Sequence, residues 1–412
     1  MVHPSRFTDQ TPGSAVRISL DEDEWAFVPN PLPHLMELDA DTMLEVGHAE
    51  GALGRLAGIG VTTVNPNLLT NIRNLLLQPL LRREAVMSTR IEGTFTDLNR
   101  LLLYEASGAN ELEPADRDNQ EVLNHVRAQE YALACLDEGN PPLSLRLLKE
   151  IHKRLMPGTR GEFRAPGEFR RVQVGIARPD GPPFRPPPVP QMMEALDAFE
   201  RFLHRPGPNM LLPVVEAALV HYQFEVIHPF MDGNGRIGRL LIPLLLIERR
   251  VLPIPLLHLS AYFERHQETY YDLLLQVSQT GAWQEWIRFF AQGVFEEAQD
   301  TVVRSLELFA LRERYRRRMR RRSRSSAPGE LIDPLFATPF ITITHAAQRL
   351  NQTYHGARRI VKKLEDEGIL LEFTGKKTDR VYAAHEIVDI LSAEHLSGQA
   401  SRDTQPEYGQ PQ

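Results

Sequence analysis

The sequence predicts a mainly α-helical protein with one short β-hairpin excursion and a small α+β module near its C-terminal end. Three observations carry this. Long segments repeat apolar residues at spacings of three and four, which lines them along one helix face. Residues 156–190 break that pattern with glycines and prolines around a β-prone VQVGI at 172–176. Residues 344–384 run through two short amphipathic helices and then two extended stretches around a Gly-Lys-Lys-Thr-Asp turn.

In chain order, residues 1–25 are polar and expected to be loose. Residues 26–115 read as a helical region, with amphipathic helices at 41–58 and 68–90. The first starts after Asp39-Ala-Asp41, a capping signal. Residues 116–300 read as the core, opening on a helix at 118–138. The doubled GEFR at 161–164 and 167–170 is too short to be a structural repeat. Residues 301–330 form a basic helix end and a linker: 312–324 holds nine arginines and one acid, and SSAPGE at 325–330 breaks the helix. Residues 331–395 form the C-terminal module, and 396–412 read as a disordered tail.

Composition frames what the chain can be. With 42% hydrophobic and 25% charged residues over 412 positions, it has an ordinary globular make-up and ample length for a core. A net charge of −7 gives no global reason for a nucleic-acid partner. A single cysteine, Cys135, excludes internal disulfides, and its YALACL setting places it in the core. The N-terminal stretch carries no apolar leader, and LLIPLLLI is far too short to span a bilayer. A cytoplasmic location without a membrane partner is the expectation.

The chemistry concentrates in His228-Pro-Phe-Met-Asp-Gly-Asn-Gly-Arg-Ile-Gly-Arg239. The preceding residues, 214–227, have helical spacing, and Pro213 suits a first helical turn. Pro229 stops that helix, and Arg236 opens another. A glycine loop entering a helix N-terminus presents unpaired N–H groups to an anion. Gly233, Asn234 and Gly235 form such a phosphate-sized nest. Arg236 and Arg239, three apart on the first turn, can present two guanidinium forks to successive phosphates. Asp232 suits Mg²⁺, which binds one or two carboxylates together with phosphate oxygens. His228 can take a proton from a hydroxyl near neutral pH. Each feature alone is common at helix ends and turns; their union in twelve residues points to phosphoryl or nucleotidyl transfer.

Two other readings fail on context. Gly233-x-Gly235-x-x-Gly238 spells a dinucleotide fingerprint, but the segment before it is helical and position 258 is His rather than an acid. No Walker-type phosphate loop occurs.

HPFMDGNGRIGR resembles the Fic family signature H-P-F-x-[DE]-G-N-G-R-x-x-R at every specified position. The likeness spans about residues 25–295. EAVMSTRIEGT resembles that family's inhibitory motif [ST]-x-x-x-E-[GN], as Ser88, Glu92 and Gly93. GEFR, RRVQVGI and PPPVPQMMEAL resemble its flap and following helix. The resemblance implies a Fic-type helical core and AMP transfer from ATP to a Tyr, Thr or Ser hydroxyl of a protein, itself included, with release of pyrophosphate. It implies His228 as base, Asp232 as the Mg²⁺ ligand, and the Gly233–Gly235 backbone with Arg236 and Arg239 on the phosphates. It implies Tyr270 and Tyr271 at the border of the nucleoside pocket and Glu92 as a brake on Arg239. Ser278 stands where some relatives carry Asn, so the purine contact does not carry over. Kinase-like relatives replace the glycine at the position of Gly233, so the resemblance implies AMP rather than phosphate transfer.

The 344–384 pattern looks like a winged helix, with Arg358, Arg359, Lys362 and Lys363 opposite the apolar face of 354–368. DNA contact through 354–368 or through 312–324, and protein contact, both remain open from sequence. A DNA-binding regulator that senses nucleotide and an enzyme that removes AMP are the alternative functions. Self-association is also left open.

Overall fold

The computed structural model describes residues 3–19, 24–63, 69–107, 114–137, 142–159, 161–177, 182–206, 210–322 and 327–393. Strands β1 (Gly13–Arg17) and β2 (Trp25–Pro29) pair antiparallel, with Ala15 opposite Phe27. The helices α1 (Ala40–Thr63), α2 (Leu69–Ile91), α3 (Leu98–Ser107), α4 (Pro114–Asp137) and α5 (Leu145–Leu155) follow. A loop of irregular backbone leads to α6 (Val189–Leu203), then α7 (Pro213–Ile227), α8 (Asn234–Glu248), α9 (Ser260–Arg265) and α10 (Gln267–Thr280).

The centre of the molecule is the pair α7 and α8. In α7 thirteen of fifteen residues are buried, as expected of a helix enclosed on all sides. Pro213 stands at its first turn, and His228 ends it in a left-handed conformation with φ 49°. The turn between the two helices is therefore the loop singled out in the sequence. Around the pair pack α4 and α5 on one side and α10 and α11 on the other. Trp286 donates its indole N–H to the Ala218 carbonyl at 3.0 Å, tying α11 to α7.

α11 (Trp283–Arg322) is a single helix of 40 residues. It runs unbroken past residue 300, where the sequence placed the end of the core. The short helices α12 (Ala327–Glu330) and α13 (Ile332–Ala337) follow. Then come β3 (Phe340–Thr342), α14 (Ile343–Leu350), α15 (Tyr354–Asp366), β4 (Leu371–Glu372), β5 (Val381–Ala383) and α16 (His385–Ser392). The three strands form an antiparallel sheet in the order β3-β5-β4. Thr342 and Thr353 cap α14 and α15 by accepting the N–H groups of His345 and Gly356. This module lies against α2, α3 and α11.

Four expectations need correction. Residues 13–17 are a strand, not a loose segment. Phe27 is buried there, its N–H bonds the Arg185 carbonyl, and Thr11 Oγ1 donates to the Gln279 carbonyl. Backbone pairing and one aromatic anchor, neither visible in a polar composition, hold the segment. The linker at 325–330 contains helix α12, while 323–326 lie outside the described residues. VQVGI is not a strand: only Ile176 and Phe184 pair, since the prolines at 183 and 186–188 lack N–H donors. Cys135 is half-buried beside the core rather than inside it. The expected tail at 396–412 lies outside the described residues.

Among the described residues, no helix is long and apolar enough to cross a membrane.

Candidate active site

The loop 228–233 folds back on itself through one side chain. Asn234 Oδ1 accepts the Phe230 N–H at 2.8 Å, and its Nδ2 donates to the Phe230 carbonyl at 2.9 Å. Asn234 is buried and both ends of its amide bond Phe230, so it shapes the loop. Gly233 enters α8 at φ 77°, a conformation that favours glycine, and no side chain caps the helix there. The first N–H groups of α8 are thus left to the loop's concave side.

His228 sits at the rim of this nest. Its Nδ1 lies 3.3 Å from the Glu225 carbonyl, which selects the tautomer with hydrogen on Nδ1 and a lone pair on Nε2. Burial pushes His228 down to about 4, and the Arg170 charge adds to that shift. The imidazole is therefore uncharged at neutral pH and able to accept a proton.

Asp232 stands at the opposite lip with a side chain 41% exposed. One carboxylate oxygen accepts the Gly233 N–H at 2.6 Å. Gly161 of the irregular loop passes so close that a Cβ there would lie 2.7 Å from Asp232 Oδ2. A single exposed carboxylate at an anion nest is the donor set that Mg²⁺ accepts in the company of phosphate oxygens. No group of three or more ligating side chains occurs among the described residues, so the residues fit a metal that arrives with a nucleotide and not a closed protein cage.

The two arginines behave differently. Arg236 is buried and bound to Glu121 of α4, with Asp232 3.4 Å from its other nitrogen. Arg239 is buried and turned toward α2. Its Nε donates to Ser88 Oγ at 3.0 Å, and its Nη2 to the Ser88 carbonyl at 2.9 Å and to Glu92 Oε1 at 2.7 Å. Burial acts to raise the Glu92 carboxyl, but the Arg239 guanidinium outweighs it and holds Glu92 below its usual range. Gly93 ends this segment at φ 82°, and Gln267 of α10 caps it by donating to the Ile91 carbonyl. Gly235 makes room for the pair: a Cβ there would lie 2.3 Å from Glu92 Oε1.

Tyr270 and Tyr271 part company. Tyr270 is buried, with its hydroxyl 2.9 Å from His221 Nε2. Tyr271 lines a cavity of about 70 Å³ between the irregular loop, α7 and α10. Ser278 lines the same cavity.

Sequence reasoning missed two residues that hold the site. Arg170 donates to the His228, Val172 and Pro187 carbonyls at 2.9, 3.1 and 2.5 Å. It clamps the irregular loop to the backbone of His228, and burial lowers its own pKa to about 10. His152 stacks on Phe230 with centroids 4.0 Å apart. Its Nδ1 accepts the Gly167 N–H, so its Nε2–H donates to the Asp232 carbonyl at 3.0 Å. Both act on carbonyls and amides, which leave no mark in a residue pattern; the second GEFR, which supplies Arg170, was the nearest signal.

A Fic/DOC family model matches residues 142–246, and a model of that family's N-terminal region matches 43–134. The protein adenylyltransferase Fic of Culex quinquefasciatus is 32% identical over 192 residues, 47% of this chain and 34% of that protein. The protein adenylyltransferase Fic of Nematostella vectensis is 31% identical over 195 residues, 47% of this chain and 42% of that protein. The chain thus spans well under half the length of these relatives. A Fic family protein from Desulfovibrio desulfuricans superposes with a TM-score of 0.53 at 19% identity, covering 85% of this chain and 97% of its own. Fic-1 (residues 134–508) from C. elegans gives 0.50 at 21%, covering 63% and 74%. The two structures share the fold. With the N-terminal and catalytic models matched in that order along residues 43–246, the chain is similar to the Fic/DOC family over that stretch.

Proposed function

We propose that this chain transfers AMP from ATP to a Tyr, Thr or Ser hydroxyl of a protein, itself included, in the cytoplasm. The relatives named protein adenylyltransferase support the reading. The observation that carries it is the uncharged His228, its Nε2 available, on the same short loop as an uncapped helix N-terminus. A base for a hydroxyl and a cradle for phosphates stand side by side.

The target oxygen forms a bond to the α-phosphorus of ATP while the bond from that phosphorus to the bridging oxygen breaks. The hydroxyl proton passes to His228 Nε2, and pyrophosphate leaves. The backbone of Gly233–Gly235 and the start of α8 receive the phosphates. Arg239, when released, adds charge at the outer phosphates. Asp232 would hold Mg²⁺, which when bound neutralises phosphate charge. Arg236, already paired with Glu121, acts by fixing the α8 entrance to α4.

In this reading Glu92 restrains the enzyme by occupying Arg239. Incubating the Glu92→Gly chain with α-labelled ATP and Mg²⁺ tests the whole proposal. Label should appear on protein, and its absence from every protein present would overturn AMP transfer.

A second activity has one supporting observation. The arrangement of α13, β3, α14, α15 and the β4–β5 hairpin has the element order of a winged helix, and Arg358, Arg359 and Lys363 are exposed on α15 or line one groove there. We assign DNA contact to that face. Four arginines of the basic run are occupied elsewhere: Arg312 and Arg316 pair with Asp333, Arg314 with Glu386, and Arg318 donates to the Glu367 carbonyl.

A further inference from the structure

The turn that leads into α15 stands out from the C-terminal module: residues 351–355 are all exposed. It is a built turn. Asn351 ends α14 at φ 49°, and Thr353 Oγ1 accepts the Gly356 N–H at 3.2 Å. Tyr354 opens the helix, 51% exposed. Among the described residues it is the one exposed tyrosine, the others being buried or half-buried. Its ring meets His355 with centroids 6.1 Å apart, and its hydroxyl has no hydrogen bond among the described residues. Three exposed aliphatic hydroxyls are engaged by contrast: Thr8, Ser107 and Thr280 donate to carbonyls at 3.3, 2.7 and 2.9 Å. A phenol also yields its proton to a base more readily than an aliphatic hydroxyl. α15 packs on α12 and α14, whereas His228 lies between α7 and α8. The phenol is thus presented outward, to the site of another copy.

We propose that Tyr354 of one copy is a hydroxyl that another copy modifies, and that AMP placed there closes α15 to DNA. The proposal rests on the AMP-transfer reading and on the DNA contact assigned to α15, and it joins the two. Tyr354 Oη forms a bond to the α-phosphorus of ATP while the bond from that phosphorus to the bridging oxygen breaks. The phenol proton passes to His228 Nε2 of the modifying copy, and pyrophosphate leaves. The product carries one negative charge and an adenosine at the start of the groove lined by His355, Arg358, Arg359, Lys362 and Lys363. Arg358 stands one helical turn on, along the same face. The helix N-terminus and that guanidinium both favour an anion at this position. The bound phosphodiester therefore takes the place of a DNA phosphate.

A full-length His228→Ala chain cannot modify itself, so label on it must come from another copy. It is mixed with a full-length enzyme carrying Glu92→Gly and Tyr354→Phe, α-labelled ATP and Mg²⁺, and the label is mapped by peptide mass spectrometry. Tyr354 of the His228→Ala chain should carry AMP. The same target with Tyr354→Phe added, its Tm unchanged because the ring is exposed, should lose label at least about tenfold. The isolated modified chain should bind a mixed-sequence DNA duplex at least about tenfold more weakly than the unmodified chain. Label confined to other residues, or undiminished in the Tyr354→Phe target, overturns the proposal and leaves AMP transfer standing. Label on Tyr354 in the Glu92→Gly chain alone, and not on the His228→Ala chain, overturns exchange between copies. Equal duplex affinity of the two forms overturns the closure of α15, and an unmodified chain that binds no duplex overturns the DNA contact with it. Label on no protein at all overturns AMP transfer as well.

Discussion

Arg239 of α8 meets Glu92 at the end of α2, Nη2 to Oε1 at 2.7 Å, and the same guanidinium takes both the hydroxyl and the carbonyl oxygen of Ser88. Three donors of one buried arginine are thus spent on one turn of a helix far away in sequence. An arginine held this way is not presented to a phosphate.

Glu92→Gly should therefore raise AMP transfer, self-labelling included, by at least about tenfold, or ~1.4 kcal/mol off the barrier. Adding Arg239→Ala should remove much of the gain. An unchanged rate in Glu92→Gly, with His228→Ala still inactive, would sink the brake and spare the enzyme.

His228→Ala should abolish labelling while ATP affinity stays within about threefold, because the imidazole meets the hydroxyl and not the nucleotide. The pH profile carries a second check. His228 must be uncharged to act, and it is uncharged above about 4. The acid limb should thus lie near 4 and not near the ordinary histidine value of ~6.5. Stability works in the same direction. As pH falls from the ordinary value toward about 4, the unfolded chain takes up a proton that folded His228 refuses, so stability declines through that window. Initial rates in brief assays separate the two.

Arg170→Met should lower kcat more than it raises KM for ATP, since Arg170 positions His228 through its carbonyl at 2.9 Å. Removing its charge should also move the acid limb upward, because that charge helps depress His228. A packing role alone would leave the limb where it was.

Asp232→Ala should lose Mg²⁺ dependence and activity together. Transfer of γ-label in place of α-label from ATP by the parent chain would identify a kinase and overturn the reading of Gly233.

Reversing Arg358, Arg359, Lys362 and Lys363 to acids should abolish duplex binding, which in the parent should fall steeply with salt. Weak binding unchanged by the reversal would leave α15 as a protein contact.

The loop 228–239 was legible because its chemistry is contiguous: base, carboxylate, glycines and arginines follow one another in the chain. Glu92 was legible through a short motif, although its partner lies 147 residues away. What stayed hidden acts through space and through backbone. Nothing in a one-dimensional pattern pairs Arg236 with Glu121, and nothing tells that Asn234 spends its amide on Phe230. Arg170 and His152 serve carbonyls and amides, which every residue possesses. The helices were recovered from periodicity, whereas the β1–β2 ribbon escaped because each strand is only five residues long and GSAVR of β1 carries little apolar alternation.

The 40 residues of α11 make a rod of about 60 Å. One end is seated against α1 and α7, and the other carries the seam that receives α13 and α16. Leu308, Leu311, Tyr315 and Met319 are all buried along that second half. The C-terminal module is consequently not a bead on a string, and it has no clean point of excision. Truncation at residue 300 would cut the rod and strip its apolar side, giving an aggregating fragment in place of a tidy catalytic unit. The full chain should melt in a single cooperative transition by calorimetry, where an articulated pair of domains would show two.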